Sequence, residues 1–431
     1  MAGRLAPLSS PIHITFDGTE IPASAGEPVA VSLVGAGNLA LARSPKFHRP
    51  RGPSCLRAAC DGCLARVDGV PNVMTCMVPA RDKMEITSQN TLGSRNVDLL
   101  RVTDWFFPDG MNHHELLAGV FGLDKVMMAF ARRVAGLGKL PRDVAPPRPA
   151  RRREADVVVV GTGPSGMLVA MELSTRGRNV EVLDDAVTHG GSTLVLSDLG
   201  TGTSAWRTLR EQFTRCGVGA PGTIRVRAQT TAAGIFQDDL LVVGPDGAEI
   251  LDARAVILAP GAHDGVLAFE GNDLPGVMSA RAALGFLAHG VSVGYRVAVV
   301  VPEGGGPYGE IYARALDKMG TSDVTVTVVH GEPVSASGAS GVKEVTLRKG
   351  KSTKSLRADA LLVDAPRAPA YELVSQAGAE LEHRPRGFVP RTDGGHIRGR
   401  FWVIGEAAGT ALEEAVLRDE ARHVAERLAY L

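Results

Sequence analysis

The stretch "CLRAACDGCLARVDGVPNVMTC" sets Cys55, Cys60, Cys63 and Cys76 within 22 residues, four of the five cysteines in a chain of 431. Thiolates are soft ligands, and in a reducing compartment cysteines gathered this closely point to metal ligation or redox chemistry rather than to structural disulfides. Four that converge can hold two irons bridged by sulfide, or one zinc. Their spacing, C-x4-C-x2-C-x12-C, leaves Cys55 and Cys76 without the close partner usual in a four-cysteine zinc site. It favours a [2Fe-2S] cluster, with zinc as the alternative. The ligand loop must wrap closely enough for backbone N–H groups to approach the sulfides, and Gly62 is read as serving that approach. Cys216, alone in "FTRCGVG", reads as a small buried hydrophobe.

A second constellation lies in "ADVVVVGTGPSGMLVAMELSTRGRNVEVLDD". A buried strand leads into Gly161, Gly163 and Gly166 in G-x-G-x-x-G, then a helix, then a strand ending at Asp184, 18 residues beyond Gly166. That order seats a dinucleotide's pyrophosphate on the helix N-terminus. Gly161 permits the tight turn, Gly163 lets phosphate approach the backbone, Gly166 lets helix meet strand, and Asp184 would accept ribose hydroxyls. Pro164, Ser165, Asp185, Gly191 and Ser192 flank these positions and complete the candidate set. Further on, "ARAVILAPGAHDG" is a strand entering a turn at Gly261, and "FWVIGEAAGTALEEAVLRDEARHVAERL" is a strand, then Gly405 and Glu406, then a long helix.

Between them, "YRVAVVVPEGGGPYGEIYARALDKMGTSDVTVTVVHGE" repeats strand, glycine loop, helix and strand, with Gly304, Gly306 and Gly309 in the fingerprint spacing. This copy is degraded. Pro302 and Glu303 precede the glycines, Glu303 would repel phosphate, and the second strand ends at His330 instead of an acid. A scaffold that has lost its nicotinamide ligand is expected, with active NAD(P) binding as the alternative. No catalytic residue is assigned anywhere in the chain.

The elements that must position these residues follow from pattern. "IHITFDGTEIPA" alternates apolar and polar residues about an Asp-Gly turn, which predicts a β-hairpin ahead of the cysteines. "LLAGVFGLDKVMMAFARRVAGLG" predicts one or two helices with Met127 and Met128 in a core, and His113 and His114 read as a solvated helix start. "PRDVAPPRPARRRE", residues 141–154, is the linker. The predicted organisation is a small domain over 1–95, a helical connector and linker over 96–153, a dinucleotide-binding domain over 154–280 and 366–431, and an inserted NAD(P)-binding-like domain over 281–365. The 47 basic and 47 acidic residues cancel, so no net field draws the chain to nucleic acid or to an anionic membrane. No signal peptide and no apolar run of about 18 residues occurs, so the expectation is a cytoplasmic protein without membrane insertion.

The first three cysteines match the ligand loop of plant-type ferredoxins, and the close fourth resembles the ferredoxin-like modules of molybdenum hydroxylases and flavin amine dehydrogenases. The order of the later segments resembles the glutathione-reductase-like fold. The fold class is therefore α/β, a two-Rossmann flavoprotein preceded by a small α+β ferredoxin-like domain. In that family the last acid, here Glu406, contacts the flavin ribityl chain; Glu in place of Asp, and Pro260 where Thr is common, are departures. "RSPKFHRPRGP", "DGMNHHELL", "ARRVAGLGKLP" and "GNDLPGVMSA" make the whole chain similar to the alpha subunit of heterotetrameric sarcosine oxidase. They are also similar to the related subunits of hydrogen cyanide synthase, opine oxidase and proline or hydroxyproline dehydrogenase complexes. The chain departs in its full cysteine set and in stopping at Leu431 before a folate-binding domain, so formaldehyde capture on folate is not expected.

The resemblance implies the electron-transfer component of a hetero-oligomeric dehydrogenase or oxidase of amines or amino acids, in which a beta-type FAD subunit oxidises the substrate. It implies a [2Fe-2S] cluster, FAD at the first dinucleotide site (or NAD or an adenine mononucleotide there), and room for FMN at the partner interface. The competing expectation is a stand-alone NAD(P)H-dependent reductase feeding an oxygenase.

Overall fold

The computed structural model describes residues 2–429 apart from 46, 90, 92, 95–96, 103, 105–124, 127–145, 147–148, 198–203 and 217–219. His113, His114, Met127, Met128 and nearly all of the helical segment and linker predicted around them lie outside the described residues. The chain forms two compact units. One comprises Met1–Val144, Leu267–Val301 and Gly320–Val363, the other Ala145–Val266, Pro302–Met319 and Asp364–Leu431.

In the first unit, the alternation of the N-terminal segment becomes the antiparallel strands Pro11–Phe16 and Thr19–Ser24. Asp17 and Gly18 join them with φ +48° and +78°, the left-handed pair that a two-residue hairpin turn requires. A five-stranded sheet runs in the order Thr19–Ser24, Pro11–Phe16, Glu85–Thr87, Leu64–Val67, Val70–Met74. The short helix Val29–Gly35 buries all of Val29 to Val34; apart from Ser32, whose hydroxyl donates to Glu27 at 2.8 Å, it is apolar because it has no wet face. A separate four-stranded parallel sheet of the same unit has the order Val277–Ser279, Ala360–Val363, Arg296–Val301, Thr325–His330.

The second unit is built on the sheet order Ile224–Arg227, Val180–Leu183, Arg151–Val160, Gly247–Leu258, Asp239–Gly244, Thr231–Phe236. The apolar run of Val157 to Val160 is a central strand buried on both faces, as parallel strands read. Its first residues, Arg151 to Arg153, which composition assigns to the linker, are strand. Their charge is met by Asp239 on Arg152 and by Glu181 and Glu249 on Arg153. The strand Gly247–Leu258 has two partners along one edge. Residues 247–251 pair antiparallel with Asp239–Gly244, and residues 256–258 pair parallel with Phe401–Val403. The core between them includes Val158, Leu240, Leu251, Val256, Phe401 and Val403.

Helix Ser204–Arg215 is amphipathic and buries Trp206, Leu209 and Phe213. Cys216 follows that helix and is only half-buried, so the expectation of a buried residue fails there.

Helix Pro164–Thr175 starts directly after the glycine loop, with Pro at its first position, where the missing N–H costs nothing. At Gly166 a β-carbon would fall on the Gly161 carbonyl oxygen, whereas at Gly163 it would meet nothing within 4 Å. Gly166→Ala should therefore destabilise the protein by roughly 1–3 kcal/mol and strip it of flavin. Gly163→Ala, compared as flavin-free protein, should melt at the temperature of flavin-free wild type, and thermal denaturation of the two flavin-free variants side by side checks the difference.

Candidate functional site

Cys55, Cys60 and Cys63 sit on the loop between strands Pro50–Arg51 and Leu64–Val67, and Cys76 lies in the single turn Thr75–Met77. Leu56 and Ala58 take φ +52° and +57°, and these left-handed residues turn the amides of the loop inward. The N–H groups of Arg57 and Ala59 donate to Cys55 Sγ at 3.4 and 3.3 Å. Ser54 and Gly62 donate to Cys60, and Ala58 donates to Cys76. Thr75 fastens the far ligand to the near ones, its N–H and Oγ1 both donating to the Cys63 carbonyl oxygen at 3.3 and 2.8 Å.

The sulfurs come as two pairs, Cys55 with Cys60 at 3.3 Å and Cys63 with Cys76. Among the described residues no three Cys, His, Asp or Glu side chains converge on one point. Two thiols for each of two metal centres fit a [2Fe-2S] cluster. Each pair shares its protons unequally. The hydrogen bond from Cys55 holds the Cys60 thiol down at about 5, and the same bond raises Cys55. Cys76 likewise lowers Cys63 and is itself raised. In each pair the shared hydrogen bond lowers one thiol and raises the other, and metal binding would displace the retained proton. Gly62 has a further reason to be glycine, since a β-carbon there would fall on the Gly52 carbonyl.

In the other unit, Gly161, Gly163, Pro164, Ser165 and Gly166 form the turn and first helical residues at the carboxyl end of the central strand. Open space over Gly163 leaves room for a phosphate to reach the backbone. Asp184 ends the next strand and turns toward that loop. Its Oδ2 accepts from Thr162 N–H at 2.8 Å and from the Thr162 hydroxyl, while Oδ1 accepts from Ala186 N–H at 2.9 Å. Thr162 Oγ1 in turn accepts from Gly190 N–H at 2.8 Å. Thus Asp184 fixes the glycine loop, and Thr162 ties it to the segment that carries Gly191 and Ser192. Asp185 beside it is exposed. Thr162 occupies a variable position of the motif and carries no sequence signal.

Gly261, with φ +79°, ends the turn after the long strand. Gly405 rests against Ser165, where a β-carbon would collide with the serine hydroxyl, so the two candidate segments meet. Glu406 is buried and paired with Arg367 Nη1 at 2.9 Å, and Arg367 also donates to Tyr308 Oη at 2.8 Å and to Ala262 O at 3.0 Å. The turn is held from below by Glu420, which accepts from Gly405 N–H at 2.8 Å and from the Thr410 hydroxyl at 2.7 Å. Burial pushes the Glu420 carboxyl above the usual range. Arg367 and Glu420 stand far from the glycines in sequence, which hid both.

Residues 9–91 match the 2Fe-2S iron-sulfur cluster binding domain, and residues 155–339 match the pyridine nucleotide-disulphide oxidoreductases. The chain is 26% identical over 414 residues to the sarcosine oxidase alpha subunit of Rhizobium meliloti (strain 1021), covering 86% of this chain and 41% of that one. It is 27% identical over 317 residues to an opine oxidase subunit from Agrobacterium tumefaciens (strain Ach5), covering 60% and 62%. It spans well under half the length of the sarcosine oxidase subunits it matches. The crystal structure of L-proline dehydrogenase from P. horikoshii superposes with a TM-score of 0.74 at 21% identity, over 99% of this chain and 75% of that one. The resemblance read in the sequence is therefore present. The chain carries a [2Fe-2S] domain followed by an FAD-binding oxidoreductase fold, and the relatives it matches are named as subunits of sarcosine and opine oxidases. Among the described residues no helix is long and apolar enough to cross a membrane.

Cys60→Ser should abolish bound iron and sulfide while leaving flavin content unchanged. Iron, sulfide and flavin assays on the purified variant check this; full iron retention would remove Cys60 from the ligand set.

Proposed function

We propose that this chain is the electron-transfer component of a hetero-oligomeric, flavin-dependent dehydrogenase or oxidase of amines or amino acids. The observation that carries the proposal is the presence, in one polypeptide, of the paired thiols and a dinucleotide fold. A [2Fe-2S] cluster moves single electrons and a flavin two, so a chain holding both can join a two-electron oxidation to one-electron carriers. The substrate is a secondary amine or amino acid, oxidised on a beta-type FAD subunit in a cytoplasmic hetero-oligomer, with FMN at the interface between the two chains.

In this reading Cys55 and Cys60 hold one iron and Cys63 and Cys76 the other. The amides of Arg57, Ala59 and Gly62 withdraw charge from the sulfurs, which favours the reduced state of the site. Gly161, Gly163, Pro164, Ser165 and Gly166 receive the FAD pyrophosphate, while Asp184 holds that loop in shape beside Asp185, Gly191 and Ser192. Gly261, Gly405 and Glu406 lie on the flavin side, with the Glu406 charge balanced by Arg367. The corresponding domains are 1–95, the connector 96–153, 154–280 with 366–431, and the insertion 281–365.

One feature favours the alternative of a stand-alone NAD(P)H-dependent reductase: the second glycine loop keeps its order of strand Arg296–Val301, helix Tyr308–Lys318 and strand Thr325–His330. Two measurements separate the readings. Co-purified with its neighbour-encoded flavoprotein, the chain should support dye reduction by a secondary amine or amino acid, and that activity should vanish when this chain is omitted. The isolated chain mixed anaerobically with NADH or NADPH should keep its flavin colour. Bleaching by the nicotinamide, or dye reduction indifferent to this chain, would reject the proposal.

A further inference from the structure

We infer that Asp364 is the specificity-determining residue that closes the second glycine loop to a dinucleotide, by placing this chain's own carboxylate where a phosphate would otherwise sit. The inference deepens the proposed function and rests on it, because it supplies the reason that electrons would not enter from NAD(P)H.

An active glycine loop offers a phosphate the amides that the following helix leaves unpaired. Here those amides are spent. Gly309 N–H donates to Asp364 Oδ2 at 2.7 Å, and Tyr308 N–H donates to the same side chain. Gly306 N–H donates to the Asp364 carbonyl oxygen at 3.1 Å. The helix they open, Tyr308–Lys318, has no side-chain cap of its own from Pro307, so Asp364 acts as its anion from a distant part of the chain. The fit is close, since a β-carbon on Gly306 would lie 2.7 Å from Asp364 Oδ1. Asp364 is 4% exposed, so water does not screen it. Burial raises its carboxyl to about 6, with Asp264 adding to the rise and Arg367 opposing it, and near neutral pH the group is mainly ionised. A phosphate entering the loop would meet that charge and would have to displace it from its donors. Glu303, exposed at the rim, adds a second negative charge.

A simple helix cap and an excluding group predict different things. The test uses the full chain with its cofactors, and NADH titrated calorimetrically into wild type and Asp364→Ala. The variant should take up one more equivalent of NADH per chain than wild type, at least tenfold tighter than any binding the wild type shows beyond its first site. Counting equivalents keeps NADH at the first dinucleotide site from being mistaken for the second. Should the alanine variant fail to fold, Asp364→Ser serves, because its hydroxyl can still accept one loop amide. An unchanged stoichiometry in the folded variant would reduce Asp364 to a cap and overturn the inference, as would a wild type that already binds the additional NADH.

Amine-driven dye reduction, measured on the same variant with its partner, separates this inference from the proposed function. Absence of that activity in the wild-type complex overturns the proposed function and leaves the inference standing. An unchanged NADH stoichiometry with dye reduction intact does the reverse.

Discussion

Everything functional in this chain depends on what satisfies the backbone N–H groups that regular structure leaves unpaired. A buried amide without an acceptor is costly, so each glycine-rich or left-handed turn must be completed by something. In the cysteine loop the acceptors are thiol sulfurs, reached because Leu56 and Ala58 adopt left-handed backbone. In the first glycine loop Thr162 is tied down by Asp184, and the space over Gly163 is left open. In the second loop the acceptor is Asp364. One physical requirement thus shapes the cysteine loop and both glycine loops of a single polypeptide.

Elements whose identity rests on local pattern were legible in sequence. The Asp17-Gly18 hairpin, the valine-rich central strand, the helix after Gly163 and the strand leading to Gly405 all lie where period and turn chemistry place them. The four cysteines were legible as a set, but their division into two pairs was not, since it depends on the path of the chain between Cys63 and Cys76. Long-range partners were hidden for the same reason. Arg367 on Glu406, Glu420 on Gly405 and Asp364 on Gly309 each join residues separated by 15 to 55 positions, and spacing patterns do not reach that far.

Residues that a motif singles out carry further physical demands. Asp184 reads in sequence as a ligand for ribose, and its carboxylate also accepts from Thr162 and Ala186, which sets the shape of the loop that precedes it. Gly62 reads as making room for sulfide, and it also makes room for a backbone carbonyl. In both, several demands fall on the same residue.

The two-partner strand Gly247–Leu258 has a consequence for biosynthesis. Its residues 256–258 acquire their parallel neighbour only when Phe401–Val403 has been made, and Gly405 reaches Ser165 later still. On the ribosome the dinucleotide sheet therefore stays open along one edge until translation has passed the closing turn. The hairpin, cysteine loop and sheet over residues 11–87 need nothing so distant for their own strand pairing. The two sheets therefore close their strand pairing at different stages of synthesis, although the unit that holds the cysteine loop also needs residues 267–301 and 320–363 to be complete.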